Sequence, residues 1–203
     1  MIAIIDYGIG NLFSLKSSFY RIGENVVVTA NKEMIEAADR IILPGVGAFE
    51  DAARKLRNSG LDEVVIEQVK AGKPLMGICL GMQMLFEKSY EYGEHKGLGL
   101  IKGEVRPMLG EIPDGLKVPH MGWNKLEFNG KKDELFKYVN EGDFVYFVHS
   151  FYGTGCDDSL IATAEYGVNV TAAVRSKNVW GCQFHPEKSG KVGLAILKAF
   201  CEI

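Results

Sequence analysis

The residues with the clearest chemical potential in this sequence are a cysteine between two glycines and a histidine followed closely by a glutamate. Cys79 lies in a Gly-Ile-Cys-Leu-Gly pentapeptide, and His185 and Glu187 flank a proline. A thiol becomes a nucleophile when a base accepts its proton, and a carboxylate can orient that base. His185 ends an apolar strand, from which it can reach the same sheet edge as Cys79. The combination predicts a Cys-His-Glu triad, although His185 and Glu187 taken alone also fit a strand-end histidine beside a surface carboxylate.

The pentapeptide around Cys79 follows an apolar run, Leu75 to Ile78, and precedes a run with helical spacing, Leu80 to Phe86. A nucleophile on such a strand-to-helix turn needs small residues two positions before and after it, because backbone segments crowd there. The positive end of the following helix favours the thiolate. A buried structural cysteine between packing glycines is the alternative, and the strand-then-helix context favours the nucleophile.

Acyl transfer also needs hydrogen-bond donors for the oxyanion that forms on the substrate. The backbone N–H of Leu80, directly after the nucleophile, is one expected donor. A second donor is expected in the Pro-Gly-Val-Gly loop that follows the apolar run Ile41 to Leu43, at either Val46 or Gly47. An ordinary strand-to-helix turn would use the same proline and glycine residues.

The elements that would position these residues alternate between strand and helix in the first half of the chain. Short apolar runs predict strands at Ile2 to Ile5, Val26 to Val28, Ile41 to Leu43 and Leu75 to Ile78. Apolar residues at helical spacing predict helices at Leu12 to Ile22, Ala48 to Leu56, Leu61 to Val69 and Leu80 to Phe86. This alternation predicts an α/β fold with an open, mostly parallel sheet flanked by helices.

The second half of the chain is dominated by short strand-like runs between turn residues. These runs are Leu98 to Val105, Lys125 to Phe128, Phe144 to Phe151, Leu160 to Glu165, Thr171 to Arg175 and Val179 to Phe184, and a last helix is predicted at Val192 to Phe200. We expect additional antiparallel strands in this half, within a single domain that spans residues 1–203.

Composition excludes several classes of function. The 203 residues carry a formal charge of −3 with no dense basic run, so neither a nucleic acid nor a membrane is an expected partner. No signal peptide or membrane-spanning run is recognisable, so we expect a cytoplasmic protein with reduced cysteines. The cysteines form no CxxC pair, and Phe13 stands where a dinucleotide-binding loop needs its third glycine. We therefore expect no metal and no cofactor. Three thiols are expected to be bystanders: Cys156, Cys182 and Cys201.

Three motifs taken in order resemble those of the class I glutamine amidotransferases. They are Pro-Gly-Val-Gly at 44–47, Gly-Ile-Cys-Leu-Gly-Met-Gln at 77–83 and His-Pro-Glu at 185–187. The resemblance covers essentially the whole chain and implies a flavodoxin-like sheet. It also implies that L-glutamine is hydrolysed to glutamate and ammonia through a γ-glutamyl thioester on Cys79, with no cofactor.

The same resemblance implies a set of substrate contacts. Gln83 lies one helical turn after Cys79, so both side chains can face one pocket, although an ordinary helix-surface glutamine would have the same spacing. Glu91 matches the carboxylate that holds the α-ammonium group of glutamine in the family. Contacts made mainly through main-chain atoms are implied for His149, Ser150 and Phe151. For His149 alone, a packed strand histidine is an equally good interpretation.

Further runs at 6–11, 119–124, 146–150 and 183–189 resemble one group within the class, the glutaminase subunits of a synthase in histidine biosynthesis. This resemblance implies a heterodimer in which a (β/α)₈-barrel cyclase subunit receives the ammonia. It implies that the docking face includes Asn11, His120, Met121, Trp123 and Asn124. A core aromatic is the alternative interpretation of Trp123.

Two other functions stay open at this point. The chain could be a stand-alone cysteine amidohydrolase of the same fold that acts on another amide. It could also be a non-catalytic interaction module, but that hypothesis predicts the loss of a triad residue, and Cys79, His185 and Glu187 are all present.

Overall fold

The computed structural model describes residues 1–203, and its first half has the predicted alternation of strands and helices. The strands are β1 (Ile2–Ile5), β2 (Val26–Thr29), β3 (Arg40–Leu43) and β4 (Leu75–Ile78), and the helices are α1 (Leu12–Arg21), α2 (Lys32–Ala37), α3 (Phe49–Asn58), α4 (Leu61–Lys70) and α5 (Leu80–Leu85). Only α2 is unexpected. It begins where the Asn31 side chain accepts a hydrogen bond from the Met34 N–H at 2.8 Å, which is the usual way a short helix is capped.

The second half contains more strands than the sequence predicts. They are β5 (Phe86–Ser89), β6 (His95–Lys96), β7 (Ile101–Pro107), β8 (His120–Lys125), β9 (Glu127–Phe128), β10 (Phe144–His149), β11 (Phe151–Thr154), β12 (Leu160–Glu165), β13 (Asn169–Ser176) and β14 (Val179–Cys182), followed by α6 (Gly190–Glu202). The strand predicted from Phe144 to Phe151 is broken at Ser150, and the run from Lys125 to Phe128 is divided between β8 and β9. The strand expected to end at Phe184 ends at Cys182.

The main sheet has eight strands in the order β2-β1-β3-β4-β14-β13-β12-β9. The pairs from β2 to β14 are parallel, and those from β14 to β9 are antiparallel. The predicted fold class is therefore confirmed. Because β14 lies beside β4, with Cys182 opposite Ile78, the residues that follow these two strands meet at one edge of the sheet.

Alternating residues of the central strands pack into two separate cores. In β1, Ile2 and Ile4 face one core while Ala3 and Ile5 face the other, and none of the four is more than 2% exposed. Burial on both sides explains why these strands are continuously apolar rather than alternating in polarity. None of the helices combines the length and apolar character that a membrane crossing needs.

Two smaller sheets complete the molecule: β10 pairs with β8, and β11, β7, β5 and β6 form a four-stranded sheet. The β8–β10 pair is joined to the segment after β14, because the His185 N–H donates to the Tyr146 carbonyl at 2.9 Å. The Ser189 hydroxyl accepts from the Tyr146 N–H at 3.0 Å. The antiparallel half therefore lies against the edge where the parallel strands end.

Candidate active site

Cys79 occupies the turn between β4 and α5 in a strained backbone conformation. Its φ is +54° and its ψ is −112°, a region that residues with a side chain rarely adopt. The turn is fixed from the neighbouring strand, because the Cys79 N–H donates to the Cys182 carbonyl at 2.7 Å. This is the sharp strand-to-helix turn that the pentapeptide predicts.

The glycines around Cys79 are required by close backbone approach. A Cβ atom on Gly77 would lie 2.6 Å from the Gly81 carbonyl oxygen, and one on Gly81 would lie 1.9 Å from the Leu43 carbonyl oxygen. A Cβ on Gly45 would lie 2.6 Å from the Gly81 nitrogen. The nucleophile turn and the loop after β3 are therefore packed backbone against backbone, as the sequence predicts.

His185 and Glu187 form a buried hydrogen-bonded pair. The His185 Nδ1 atom is 2.8 Å from the Glu187 Oε1 atom, and the two side chains are 3% and 1% exposed. A carboxylate only accepts hydrogen bonds, so Nδ1 carries the proton and Nε2 is left for Cys79. Burial disfavours the charged ring, but the interactions with Cys79 and Glu187 outweigh it and raise the pKa of His185 to about 9.

A cavity of about 320 Å³ contains all the residues that the sequence predicts for the triad's thiol and base, the oxyanion hole and the substrate. Its lining consists of Val46, Gly47, Cys79, Leu80, Gln83, Glu91, Pro119, Val148, His149, Ser150, Phe151, His185 and Lys188. The sequence missed Pro119, Val148 and Lys188 as lining residues. All three lie within runs that the sequence analysis singled out, at 119–124, 146–150 and 183–189, so their positions could have indicated them.

The three candidate oxyanion donors lie together on the wall of this cavity. The N–H groups of Val46 and Gly47 donate to no backbone carbonyl or side chain, and that of Leu80, the first residue of α5, has no partner within its helix. Gly47 has a φ of +91°, which favours glycine at that position of the loop. The start of the loop is held by Tyr7, whose hydroxyl donates to the Pro44 carbonyl at 2.6 Å.

Glu91 lies where the cavity meets the start of α3. Its Oε2 atom accepts a hydrogen bond from the Phe49 N–H at 2.6 Å, and burial raises the pKa of its carboxyl group. Only one of its carboxylate oxygens is used in this way, so the other can accept from an ammonium group. The predicted role in binding the α-ammonium group of glutamine fits this position.

Gln83 is buried rather than displayed on a helix surface. Its Nε2 atom donates to the Phe151 carbonyl and to the Gln183 Oε1 atom, both at 3.0 Å. Both amide hydrogens are therefore used inside the protein, and only the Gln83 oxygen is free to contact a substrate. Gln183, which the sequence did not single out, is fully buried and has its Nε2 atom 3.8 Å from the Cys79 sulfur.

The side chain of His149 is also used internally, as the packed-histidine alternative predicts. Its Nδ1 atom is 2.8 Å from the Phe151 carbonyl, and its Nε2 atom is 3.0 Å from the Nδ1 atom of His120. Burial lowers the pKa of His149 to about 3. Both ring nitrogens of His149 are therefore taken by internal partners, which leaves main-chain atoms for a substrate.

The four predicted docking residues on β8 divide between its two faces. Met121 and Trp123 are 64% and 54% exposed and extend from the outer face, which contradicts the core interpretation of Trp123. His120 differs from the expectation, since it is 3% exposed and stacks on the rings of Phe147 and Tyr166. Alternation along the strand turns His120 inward.

The remaining two predicted docking residues, Asn11 and Asn124, are partly exposed. Asn11 precedes α1, and Asn124 lies on β8 with its Nδ2 atom 2.8 Å from the Glu165 carbonyl. No group of three or more His, Cys, Asp and Glu side chains is placed to hold a metal ion.

Comparison with known proteins agrees with this geometry. The family model described as glutamine amidotransferase class-I matches residues 3–202. The chain is 52% identical over 202 residues to a Lactococcus lactis protein named "Imidazole glycerol phosphate synthase subunit HisH", with 99% of this chain and 98% of that protein covered. A Bacillus subtilis protein with the same name is 47% identical over 206 residues, covering 100% and 96%.

Solved structures share the fold at much lower sequence identity. A crystal structure described as a glutamine amidotransferase aligns with a TM-score of 0.77 at 20% identity, covering 100% of this chain and 98% of the other. The structure of PurLQS from Thermotoga maritima aligns with a TM-score of 0.71 at 21% identity, covering 99% and 97%. The chain belongs to the class-I glutamine amidotransferases and, within them, to the family of HisH subunits of imidazole glycerol phosphate synthase.

Proposed function

We propose that this chain is the glutaminase subunit of an imidazole glycerol phosphate synthase. It hydrolyses L-glutamine to glutamate and ammonia and passes the ammonia to a cyclase subunit. The cyclase uses it to form imidazole glycerol phosphate and aminoimidazole carboxamide ribotide in histidine biosynthesis, so that the assembled synthase is a lyase. The chain works in the cytoplasm and needs no cofactor.

One observation carries this proposal: a strained cysteine turn and a buried His–Glu pair meet at one cavity. Cys79 follows β4, while His185 follows the adjacent parallel strand β14, so residues far apart in the chain reach the same edge. The cavity, of about 320 Å³, has room for an amino acid rather than a large substrate. Backbone N–H groups without hydrogen-bond partners can stabilise an oxyanion. The Glu91 carboxylate has one oxygen left to accept from an ammonium group.

In the first half of the reaction, the Cys79 thiolate attacks the side-chain amide carbon of glutamine. The carbonyl oxygen becomes an oxyanion, stabilised by the N–H of Leu80 and that of Val46 or Gly47. His185 carries a proton at neutral pH, because its pKa is raised to about 9. It gives this proton to the departing nitrogen, so the C–N bond breaks, ammonia leaves and a γ-glutamyl thioester remains on Cys79.

In the second half of the reaction, His185 acts in the opposite direction. The ring has lost its proton to ammonia and now takes one from a water molecule, which attacks the thioester carbon. The C–S bond breaks, glutamate leaves, and Cys79 returns to the thiolate beside a protonated His185. Glu187 holds the ring through Nδ1 in both halves, so that Nε2 always faces the reacting atoms.

We assign the docking of the cyclase subunit to the outer face of β8. Met121 and Trp123 are large apolar side chains exposed on this face. The Tyr146 ring connects Trp123 to the cavity, because it lies 6.0 Å from the Trp123 ring and 5.9 Å from the Lys188 Nζ atom. Exposed aromatic residues of this kind are typical anchors of protein interfaces. The partner is a (β/α)₈-barrel cyclase, and the two chains form a heterodimer through which ammonia avoids the solvent.

The proposal is tested by replacing Cys79 in the complex with the barrel cyclase. We expect Cys79→Ala to abolish product formation from glutamine, because no thioester can form, while added ammonia still supports the cyclase at the wild-type rate. Cys156→Ala is the matched control, since this thiol is buried and burial raises its pKa, which keeps it protonated. The measurement is the rate of imidazole glycerol phosphate formation with each nitrogen source.

Each other outcome points to a different function. Undiminished synthesis from glutamine by Cys79→Ala would exclude Cys79 as the nucleophile. Glutamine hydrolysis with no transfer to any cyclase would indicate a stand-alone amidohydrolase. A chain that binds the cyclase but hydrolyses no glutamine in the complex would be an interaction module.

A further inference from the structure

The carbonyl oxygen of Phe151 is the centre of a buried chain of hydrogen bonds. It accepts from the Nε2 atom of Gln83 at 3.0 Å and from the Nδ1 atom of His149 at 2.8 Å. A carbonyl oxygen can only accept, so both partners must present a hydrogen to it. This one atom therefore sets the direction of every hydrogen bond farther along both arms.

The first arm leads through two glutamine side chains to the nucleophile. The second amide hydrogen of Gln83 faces the Gln183 Oε1 atom at 3.0 Å, so the Gln183 side chain must present its oxygen there. Its Nε2 atom is then turned toward the Cys79 sulfur, 3.8 Å away, and can donate to it. Gln183 is completely buried, so neither end of its amide has a solvent partner.

The second arm leads through two histidines to the strand that carries the proposed docking face. His149 uses Nδ1 as a donor, so its Nε2 atom accepts from the Nδ1–H of His120 at 3.0 Å. The Nε2 atom of His120 then accepts from the Nδ2 atom of Asn124 at 3.3 Å. Burial lowers the pKa values of His149 to about 3 and of His120 to about 4, so both rings are neutral at pH 7, as this arm requires.

We propose that Gln183 is a positioning residue for the nucleophile, donating a hydrogen bond to the Cys79 sulfur from an amide that the chain of hydrogen bonds ending at Asn124 holds in place. The inference rests on the proposed function, since it takes Cys79 as the nucleophile. A donor to sulfur stabilises the thiolate relative to the thiol, because only the thiolate carries a full negative charge.

The thiol form of Cys79 also has a hydrogen-bond partner, which competes with the donor from Gln183. On another side of the sulfur the Val148 carbonyl lies 4.0 Å away, where it can accept from the thiol S–H. The thiol therefore has an acceptor and the thiolate has a donor, and Gln183 shifts the balance toward the reactive form. A glutamine that only filled space would have no influence on this balance.

The test is the pH dependence of Cys79 alkylation by iodoacetamide, followed peptide by peptide in the full chain. We expect Gln183→Met, which keeps the length of the side chain but cannot donate, to move the midpoint of the profile upward by about one pH unit. At pH values below both midpoints alkylation should then be about tenfold slower, with the same rate as wild type at high pH. In the complex, kcat for glutamine should fall while KM changes little.

Gln183→Glu separates a donor from a merely structural residue. An ionised carboxylate still accepts from Gln83 but repels the thiolate, so we expect a larger upward shift than for Gln183→Met. If Gln183 only supported Gln83, the order would be reversed, because methionine loses that contact and glutamate keeps it. The reversed order, or an unchanged midpoint in Gln183→Met, would overturn the proposal.

Two further measurements test the proposal even if the Gln183 variants fail to fold. In the wild-type chain, the side-chain NH₂ resonance of Gln183 should move through the alkylation midpoint, and it should not do so in Cys79→Ala. His120→Phe, which keeps the ring but removes the link to Asn124, should shift the midpoint by a smaller amount in the same direction. A Gln183 resonance that is insensitive to this titration would contradict the proposal.

The control is Gln68→Met, the same substitution on helix α4, where the glutamine side chain makes no hydrogen bond. It should leave the alkylation profile unchanged. The failure of this inference is distinguishable from that of the proposed function. If Cys79→Ala still hydrolyses glutamine, the proposed function fails. If Cys79→Ala is inactive and the midpoint ignores Gln183, only this inference fails.

Discussion

A groove in the antiparallel half of the molecule is larger than the candidate active-site cavity but contains none of the triad residues. The cavity at the ends of β4 and β14 has a volume of about 320 Å³, whereas a groove between β9, β11 and β12 has about 850 Å³. Both contain a cysteine and a glutamate among polar neighbours, Cys79 and Glu91 in the cavity and Cys156 and Glu141 in the groove. Volume and residue type alone would therefore favour the groove.

The difference lies in how the polar groups are used. In the groove, the Glu141 Oε1 atom accepts from the Phe128 N–H at 3.0 Å, and the Thr171 hydroxyl donates to the Gly153 carbonyl at 2.7 Å. These bonds stabilise the antiparallel strands, and no histidine lines the groove beside Cys156. In the cavity, parallel strands end side by side and deliver a thiol and a base from distant parts of the chain. Topology, rather than volume, therefore favours the cavity as the candidate active site.

The largest expected effect comes from a glycine at the cavity. Gly81→Ala would place a Cβ atom 1.9 Å from the Leu43 carbonyl oxygen, a backbone atom that cannot move aside. We expect it to lower the free energy of unfolding by at least about 4 kcal/mol. In Gly155→Ala, at the groove, the new Cβ atom would meet no atom closer than 3.8 Å. The only cost is then the left-handed backbone conformation, with a φ of +63°. It should cost about 1–2 kcal/mol.

Urea unfolding of the two glycine variants, monitored by circular dichroism, makes the comparison quantitative. The matched substitution at Gly155 controls for the loss of glycine as such. Equal losses in the two variants would show that the backbone at the nucleophile turn can relax, and the crowding argument for the pentapeptide would then be wrong.

The next largest effect is expected at the carboxylate that orients the base. Glu187→Gln removes the charge that stabilises the His185 imidazolium, so the pKa of His185 should fall from about 9. We expect kcat for glutamine to drop roughly 10²- to 10³-fold, or about 3–4 kcal/mol. Glu141→Gln is the same substitution in the groove and should leave kcat unchanged. The measurements are glutamine turnover in the complex and NMR titration of the His185 ring.

A loss of turnover in Glu141→Gln would mean that the groove contributes to the reaction and that the two hollows are not functionally distinct. An unchanged pKa of His185 in Glu187→Gln would mean that the 2.8 Å pair does not govern the base. The first result would contradict the inert role of the groove, and the second would contradict the role of Glu187 in the cavity.

The parallel half and its motifs could be predicted from the sequence because their signals are local. Short apolar runs marked β1, β3 and β4, and Cys79 directly follows β4, while His185 lies three residues after the end of β14. Helix α2 was missed because it has only six residues with a single buried one, Ile35, which is too short a run to show helical periodicity.

Which side chains of the antiparallel strands are buried and which are exposed could not be predicted in the same way. Which face of β8 is buried depends on its pairing with β10, where His120 lies opposite His149. No local pattern sets that register, so His120 was expected on the docking face with Trp123. The role of Gln183 was missed for the same reason, since its partners Gln83 and Cys79 lie about a hundred residues away in the chain.

The smallest expected effect is on the pH dependence of the free energy of unfolding. It compares His120, which lies behind the cavity, with Thr171, which lies at the groove. Burial lowers the pKa of His120 to about 4, below its ordinary value of 6.5, so folding favours the neutral ring. This stability is complete above pH 6.5 and is lost as the pH falls toward 4, to the extent of about 3 kcal/mol. His120→Phe keeps the stacking on Phe147 but does not titrate, so its stability should fall less over this interval.

Thr171→Val should behave differently, because a hydroxyl does not titrate in this range. It loses the bond to the Gly153 carbonyl and should cost about 1 kcal/mol equally at pH 7 and pH 4. Urea unfolding at both pH values gives the two differences. His149 still titrates in His120→Phe, so some acid sensitivity should remain. If His120→Phe and the wild type lost the same stability, the pKa of His120 would be the same in the folded and unfolded states, and acid sensitivity would not distinguish the cavity from the groove.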